Sequence, residues 1–342
     1  MTVLLISACG ADSPEPSSTE TGPGTPSGSE SEAGSHLPQI EVPVEADATV
    51  EGLIDVNGHA IYARCSGTGT GNPTVVYFAG WAPDQSKLGV DTIRAVEAAD
   101  DGRHRICSYE RRNTGRSETV DGTQSPEEIV ADADGVLEAI GEDGPFVLLG
   151  ASFGGPVAGA YAVAHPDRVT AILLLDSSIP DDYIIDRRHG FAGMCLRANR
   201  EADARDSLEK IDNCQLAQWA YDRRAEEPEV PLIYTAAADP SDRGDVTDDS
   251  LRKAFVRRWS PGIWKPVSAP HWMDEAEPNL VVRNLEHVIA PGGLKAPLLR
   301  RGAIGLILKS GHAGCNSTRW SVLTRTPFIR PIRYTHAPVA AI

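Results

Sequence analysis

Gly150-Ala151-Ser152-Phe153-Gly154 spells G-x-S-x-G. A serine hydroxyl is a poor nucleophile until a base takes its proton, and a sharp strand-to-helix turn between glycines is the backbone that presents such a hydroxyl for attack. The neighbouring residues supply that setting. Phe146-Val147-Leu148-Leu149 reads as a buried strand ahead of the serine, and Pro156 to Ala164 reads as a helix behind it, ended near Pro166. The flanking glycines allow close backbone passage, and the helix N-terminus favours negative charge developing beside the hydroxyl. A glycine-rich turn with no chemistry has the same letters, so it is the context that makes Ser152 the candidate nucleophile.

The base must be one of nine histidines. His36 stands in a polar N-terminal stretch, and His312 and His336 in a basic C-terminal one. His59 falls in a hairpin turn, His104 before a strand, His165 beside Pro166, His189 in a charged helical region and His287 within a final helix. His271, in a short loop just before that helix, remains. An imidazole needs an acid to hold its tautomer and stabilise its charged form. Asp239, after the strand Leu232–Ala236, gives the order Ser…Asp…His with the acid behind the penultimate strand, and is the expected partner; Asp176, at the end of an earlier strand, is its rival, with Asp242 and Asp245 also near. An oxyanion needs two backbone donors. The N–H of Phe153, next to the nucleophile, and that of Trp81, in the loop after Tyr77-Phe78, are the expected pair. A Trp81 that merely packs is compatible with that role.

These residues need a frame. Gly52–Val56 and Ala60–Arg64 flank Asn57-Gly58-His59, a strong hairpin signal. Pro73–Phe78 and Arg105–Tyr109 read as strands. Pro126 opens a helix with Ile129, Val130, Ala133, Val136, Leu137 and Ile140 on one face. Val169–Leu175 and Leu232–Ala236 are further strands, and Ala276–Ile289 a last amphipathic helix. Strands alternating with helices predict an α/β fold with a mostly parallel sheet, an antiparallel N-terminal β-hairpin and helices on both faces. The charged, helical residues 177–230 interrupt the alternation and are expected to form a helical cap over the carboxyl edge of the sheet.

The 342 residues suffice for one large domain, and 41% apolar content suits a globular protein. No apolar run approaches the ~18 residues of a membrane-spanning helix. A net charge of −16 excludes nucleic acid as an expected partner, because the field repels phosphate. Composition divides the chain. Residues 10–48 are Ser, Gly, Pro, Glu and Thr with no Lys or Arg, a linker that cannot bury enough apolar surface to order. Residues 49–290 hold the patterned domain. Residues 291–342 carry eight of the 32 basic residues and no Asp or Glu, which marks a boundary and predicts a disordered, dispensable basic tail.

Leu5-Ile6-Ser7-Ala8-Cys9, within residues 1–9, resembles a bacterial lipobox, whose cysteine is lipidated and becomes the mature N-terminus. No Lys or Arg precedes the short apolar run, so the reading is of a truncated signal segment, with a start site set too far downstream as the explanation. Apart from Cys9 and Cys315, four of the six cysteines remain: Cys65, Cys107, Cys195 and Cys214. An even number in an exported chain predicts two disulfides, Cys65–Cys107 within the sheet and Cys195–Cys214 within the cap; four buried thiols in a cytosolic enzyme are the alternative. With no CxxC or HxxxH spacing, no metal site is expected, and nothing calls for a cofactor.

Ser152 in its turn, the Ala79-Gly80 loop, Tyr109-Glu110-Arg111-Arg112-Asn113-Thr114-Gly115-Arg116-Ser117 and Pro270-His271-Trp272 with Pro278 together resemble the α/β-hydrolase superfamily over about residues 50–290. The third segment is similar to the family's D-R-x-G-x-G-x-S stretch. Most members place a histidine before the oxyanion-loop glycine and another before the nucleophile; here Ala79 and Ala151 stand there. The resemblance implies a serine hydrolase that cleaves a carboxylic ester, or a related acyl bond, through an acyl-enzyme on a small-molecule substrate. A serine at the nucleophile position argues against the haloalkane dehalogenases and epoxide hydrolases, which carry Asp there. The rival class is a non-catalytic, surface-anchored binding protein on the same fold. The expected chain is a monomer outside the cytoplasm that meets the membrane only through its lipid anchor. Trp81, Phe153, Phe191, Met194 and Trp272 suggest an apolar pocket.

Overall fold

The computed structural model describes residues 48–69, 72–81, 89–184, 193–204, 209–238 and 249–290. Cys9, the linker, the basic tail, Asp239, Asp242, Asp245 and Phe191 lie outside them, as does the side chain of Met194.

Chain order is β1 (Val50–Val56), β2 (His59–Ser66), β3 (Thr74–Phe78), α1 (Gly89–Thr92), α2 (Arg94–Asp100), β4 (Ile106–Tyr109), α3 (Pro126–Ile140), β5 (Phe146–Ala151), α4 (Gly154–Ala164), β6 (Val169–Leu175), α5 (Pro180–Ile184), α6 (Gly193–Ala204), α7 (Asn213–Asp222), β7 (Leu232–Ala237), α8 (Asp249–Val256), β8 (Gly262–Val267), α9 (Met273–Ala276) and α10 (Pro278–Ile289). Eight strands form one sheet in the order β1-β2-β4-β3-β5-β6-β7-β8. The pairs β1–β2 and β2–β4 are antiparallel and the rest parallel. This is the expected mixed sheet, parallel except at its hairpin edge.

The local causes are visible. Asn57 (φ 55°) and Gly58 (φ 85°) both take the left-handed conformation that a two-residue hairpin turn requires, which sets Val56 opposite His59. Helix α3 begins with a capping box: Ser125 accepts from the Glu128 N–H, and the Glu128 carboxylate accepts from the Ser125 N–H. Strands β3, β5, β6 and β7 are near-continuous apolar runs because helices cover both their faces. On one face Phe78, Phe146, Leu148 and Leu174 pack with Val136, Leu137, Val157 and Tyr161 of α3 and α4. On the other, Tyr77, Val147, Leu149 and Leu173 pack with Val96 of α2 and Val281 and Leu285 of α10. The sequence reading missed β8, whose Pro266 and mostly half-buried residues fit an edge strand rather than a central one.

Between β6 and β7 lie α5, α6 and α7, where the cap was expected. Tyr183, Ile184, Cys195 and Ala217 form a small apolar cluster there, apart from the two main ones. Both expected disulfides are present. Cys65 and Cys107 lie directly opposite in the β2–β4 register, with Cα atoms 4.1 Å apart. Cys195 of α6 and Cys214 of α7 have Cα atoms 4.9 Å apart. No helix among the described residues is long and apolar enough to cross a membrane.

Candidate active site

Ser152 stands between the end of β5 and the start of α4. Its φ of 49° is unusual for a non-glycine residue, a strained turn of the kind that recurs at functional sites. The neighbours that permit it are small. A Cβ on Gly154 would lie 1.9 Å from the Phe78 carbonyl oxygen, so no other residue fits there without moving β3. The Ser152 N–H donates to the Leu175 carbonyl (3.1 Å), and the Ser152 carbonyl accepts from Ser177 Oγ (2.7 Å) and the Ser178 N–H (3.0 Å). The turn is therefore tied to the end of β6.

His271 reaches this turn from the loop after β8. Its Nε2 lies 3.0 Å from Ser152 Oγ and its Nδ1 lies 2.8 Å from Asp176 Oδ2. A histidine with one ring nitrogen on a hydroxyl and the other on a carboxylate is arranged to move a proton from the first while the second holds its tautomer. Ser152 and His271 are thus brought together as expected. The carboxylate on His271 is that of Asp176, which the sequence reading ranked below Asp239; Asp239 is among the residues not described.

Asp176 reaches the site for a reason of register. Leu175 closes β6 opposite Thr235, and the next residue turns left-handed (φ 37°) with its N–H donating to the Thr235 carbonyl (2.7 Å). Its side chain therefore rises at the carboxyl end of β6, where Oδ1 accepts from the Ala237 N–H (3.1 Å) and Oδ2 faces His271. Burial raises the Asp176 pKa, but the hydrogen bond from His271, the nearby Arg252 charge and the Ala237 N–H outweigh it and leave it below the ordinary carboxylate value. Arg252 is held in turn by Asp182 at 3.0 Å.

The loop after β3 lies over Ser152. A Cβ on Gly80 would come within 3.3 Å of Ser152 Cβ and 2.9 Å of the Trp272 ring. Arg111 fixes this loop from beneath. Its Nη1 donates to the Ala79 carbonyl (2.9 Å) and its Nη2 to the Gly80 carbonyl (3.1 Å), while its guanidinium sits 5.4 Å from the centre of the Phe153 ring. In a trans peptide the C=O and N–H point oppositely. By holding the Gly80 carbonyl, Arg111 turns the Trp81 N–H to the other side. Trp81, Ser152 and Phe153 share the wall of one cavity of about 140 Å³, with cap residues completing it. Trp272 stacks edge-on against His271 and remains 41% exposed, at the rim.

Sequence reasoning did not find Arg111 as the support of this loop. The signal was the adjacent pair Arg111-Arg112 directly after a buried strand: both are buried, and each has its own acid, Glu209 for Arg111 and Asp132 for Arg112.

Residues 73–209 match the model of the family described as "alpha/beta hydrolase fold". A solved structure, Cfl2 from Burkholderia cenocepacia, superposes with a TM-score of 0.52 at 15% identity over 74% of this chain and all of that one. The chain has the α/β-hydrolase fold. The chain is also 27% identical over 195 residues to a 2-hydroxymuconate semialdehyde hydrolase of Pseudomonas putida, a match spanning 55% of this chain and 66% of that relative.

Proposed function

We propose that this protein is a serine hydrolase of the α/β-hydrolase superfamily that cleaves a carboxylic ester, or a related acyl bond, through an acyl-enzyme on Ser152. The observation that carries the reading is His271 set between Ser152 Oγ and Asp176, within hydrogen-bond reach of both. His271 takes the Ser152 proton as the hydroxyl attacks the carbonyl carbon. The tetrahedral oxyanion is held by the N–H groups of Phe153 and Trp81, a placement favoured by the Arg111-braced loop and the helix N-terminus of α4. His271 then gives its proton to the leaving oxygen. Water, activated by the same imidazole, releases the acyl group and restores the serine. Asp176 keeps the imidazole oriented and stabilises its charged form.

The reading extends to place. Two disulfides persist in oxidising compartments, which supports a protein working outside the cytoplasm; the lipobox-like Leu5–Cys9 segment is the ground for proposing a lipid anchor on Cys9. The kinetic test uses p-nitrophenyl esters of rising chain length. The wild type should turn over the short members, and Ser152→Ala should lose roughly 10⁴–10⁶ in kcat. Near-normal turnover by Ser152→Ala would refute the assignment.

A further inference from the structure

Glu209 belongs to the cap segment that runs into α7. Its side chain is almost fully buried, with 2% of its surface exposed, and its Oε1 accepts from Arg111 Nε. Arg111 uses its other two nitrogens on the Ala79 and Gly80 carbonyls. A guanidinium is planar, and its N–H donors point in fixed directions. Whatever pins Nε therefore also sets where Nη1 and Nη2 can aim. The Gly80 carbonyl follows Nη2, and across the trans peptide to Trp81 the Trp81 N–H follows that carbonyl. Glu209 thus stands at one end of a chain of contacts whose other end is the expected oxyanion donor.

The segment that carries Glu209 is itself fixed to the body of the fold. The Lys210 carbonyl accepts from the Gln124 N–H (2.9 Å), and Gln124 and Ile211 pair as an isolated parallel bridge. Gln124 Nε2 donates to Asp132 Oδ2 (3.0 Å), and Asp132 also holds Arg112. The adjacent arginines that follow β4 therefore reach one cap segment by two routes, Arg111 through Glu209 and Arg112 through Asp132 and Gln124. The same segment contributes Glu209 and Ile211 to the cavity wall beside Ser152. Charge explains why the residue is a carboxylate: Arg111 is buried, and an uncompensated buried cation is strongly destabilising. Charge balance alone asks only for an anion nearby, whereas the contact at Nε fixes the plane of the guanidinium. Resting on the hydrolase reading above, we infer that Glu209 is a positioning residue for catalysis: from the cap, through Arg111, it aims the Trp81 N–H at the oxyanion. The cap then supplies part of the oxyanion geometry as well as walls to the cavity.

The test separates position from charge with two variants. Glu209→Gln removes the charge and keeps an acceptor at the same reach; Glu209→Asp keeps the charge and withdraws the acceptor by one methylene. Each is assayed on p-nitrophenyl butyrate, with kcat expressed per serine labelled at saturation by a fluorophosphonate, so that unfolded protein does not count. A trifluoromethyl ketone of matching chain length reports on the oxyanion directly: Ser152 Oγ adds to its carbonyl carbon, the hydroxyl proton passes to His271, and the carbonyl oxygen becomes the anion. Glu209→Asp should lower kcat by about 10- to 100-fold, up to what an ångström of misplacement costs, with KM little changed and affinity for the ketone falling by the same factor. Glu209→Gln should keep more of kcat than Glu209→Asp while being the less stable of the two in denaturant titration. A residue that only holds the fold would give one order in both measurements. Wild-type kcat per labelled serine in Glu209→Asp, a loss confined to KM, an unchanged affinity for the ketone while kcat falls, or Glu209→Gln ranking below Glu209→Asp in kcat would each overturn the inference and leave the hydrolase reading standing. Glu209→Asp keeps the buried charges balanced, so it decides alone through kcat and the ketone if Glu209→Gln does not fold. A wild type that turns over no ester and resists the fluorophosphonate would remove the hydrolase reading itself, and the inference with it.

Discussion

The strand-to-helix turn that carries Ser152 was legible from the sequence: glycines at both sides, a buried strand ahead and a helix behind. That His271 meets Ser152 was legible by elimination. Which carboxylate faces His271 was not, for a physical reason. Asp176 and Asp239 both follow buried strands, and a pattern of hydrophobicity fixes where a strand ends but not which strand end meets the loop carrying His271. That depends on the β6–β7 register, which sets Asp176 beside Thr235 and Ala237. The prediction at this scale is that Asp176→Asn costs about 10⁴ in kcat, since an amide can enforce the wrong imidazole tautomer, as it does in the serine-protease case from which that magnitude is drawn. Asp239→Asn should cost far less. Steady-state kinetics of the two variants give the ranking, and the reverse order would move the acid to Asp239. Glu209 was beyond sequence reading altogether, because its pairing with Arg111 joins the cap to the loop after β4 across 98 positions of chain.

Among the elements, the long central strands and α3 followed from periodicity, and the hairpin from Asn57-Gly58. Strand β8 did not, since Trp264, Lys265 and Pro266 give it no clean alternation and its place at the sheet edge asks for none. The cap shows how a thin element is secured. Its own apolar cluster has four buried members, and Cys195–Cys214 ties α6 to α7 across 19 positions. Closing a loop of that length stabilises by roughly 3 kcal/mol, mainly by restricting the unfolded chain. Replacing both cysteines by serine should lower unfolding stability by about that amount, measured by denaturant titration. Activity should fall as well, because α6 and the start of α7 contribute Ala198 and Asn213 to the cavity wall. Unchanged stability and activity would show that the cap holds its shape without the bridge.

The whole molecule brings these scales together at one edge of the sheet. Strands β3, β5, β6 and β8 deliver the loop of Gly80, Ser152, Asp176 and the His271 loop to the same end, where Tyr183 of α5, Ala198 of α6 and Asn213 of α7 share the cavity wall with Ser152. Parallel strands make this possible, because all of them present their carboxyl ends on one side, the side where open α/β sheets place their ligands. The strained turn at Ser152, with φ of 49°, is held by the ends of β5 and β6 and by the passage of Gly154 against Phe78. A site assembled from this many parts has one central claim, that Ser152 is an activated nucleophile. The most direct measurement is intact-mass and peptide mapping after treatment of the folded protein with a fluorophosphonate. A single adduct on the peptide carrying Ser152, absent from Ser152→Ala, is the predicted result; a folded protein that takes no adduct, or takes it on another residue, would contradict the claim.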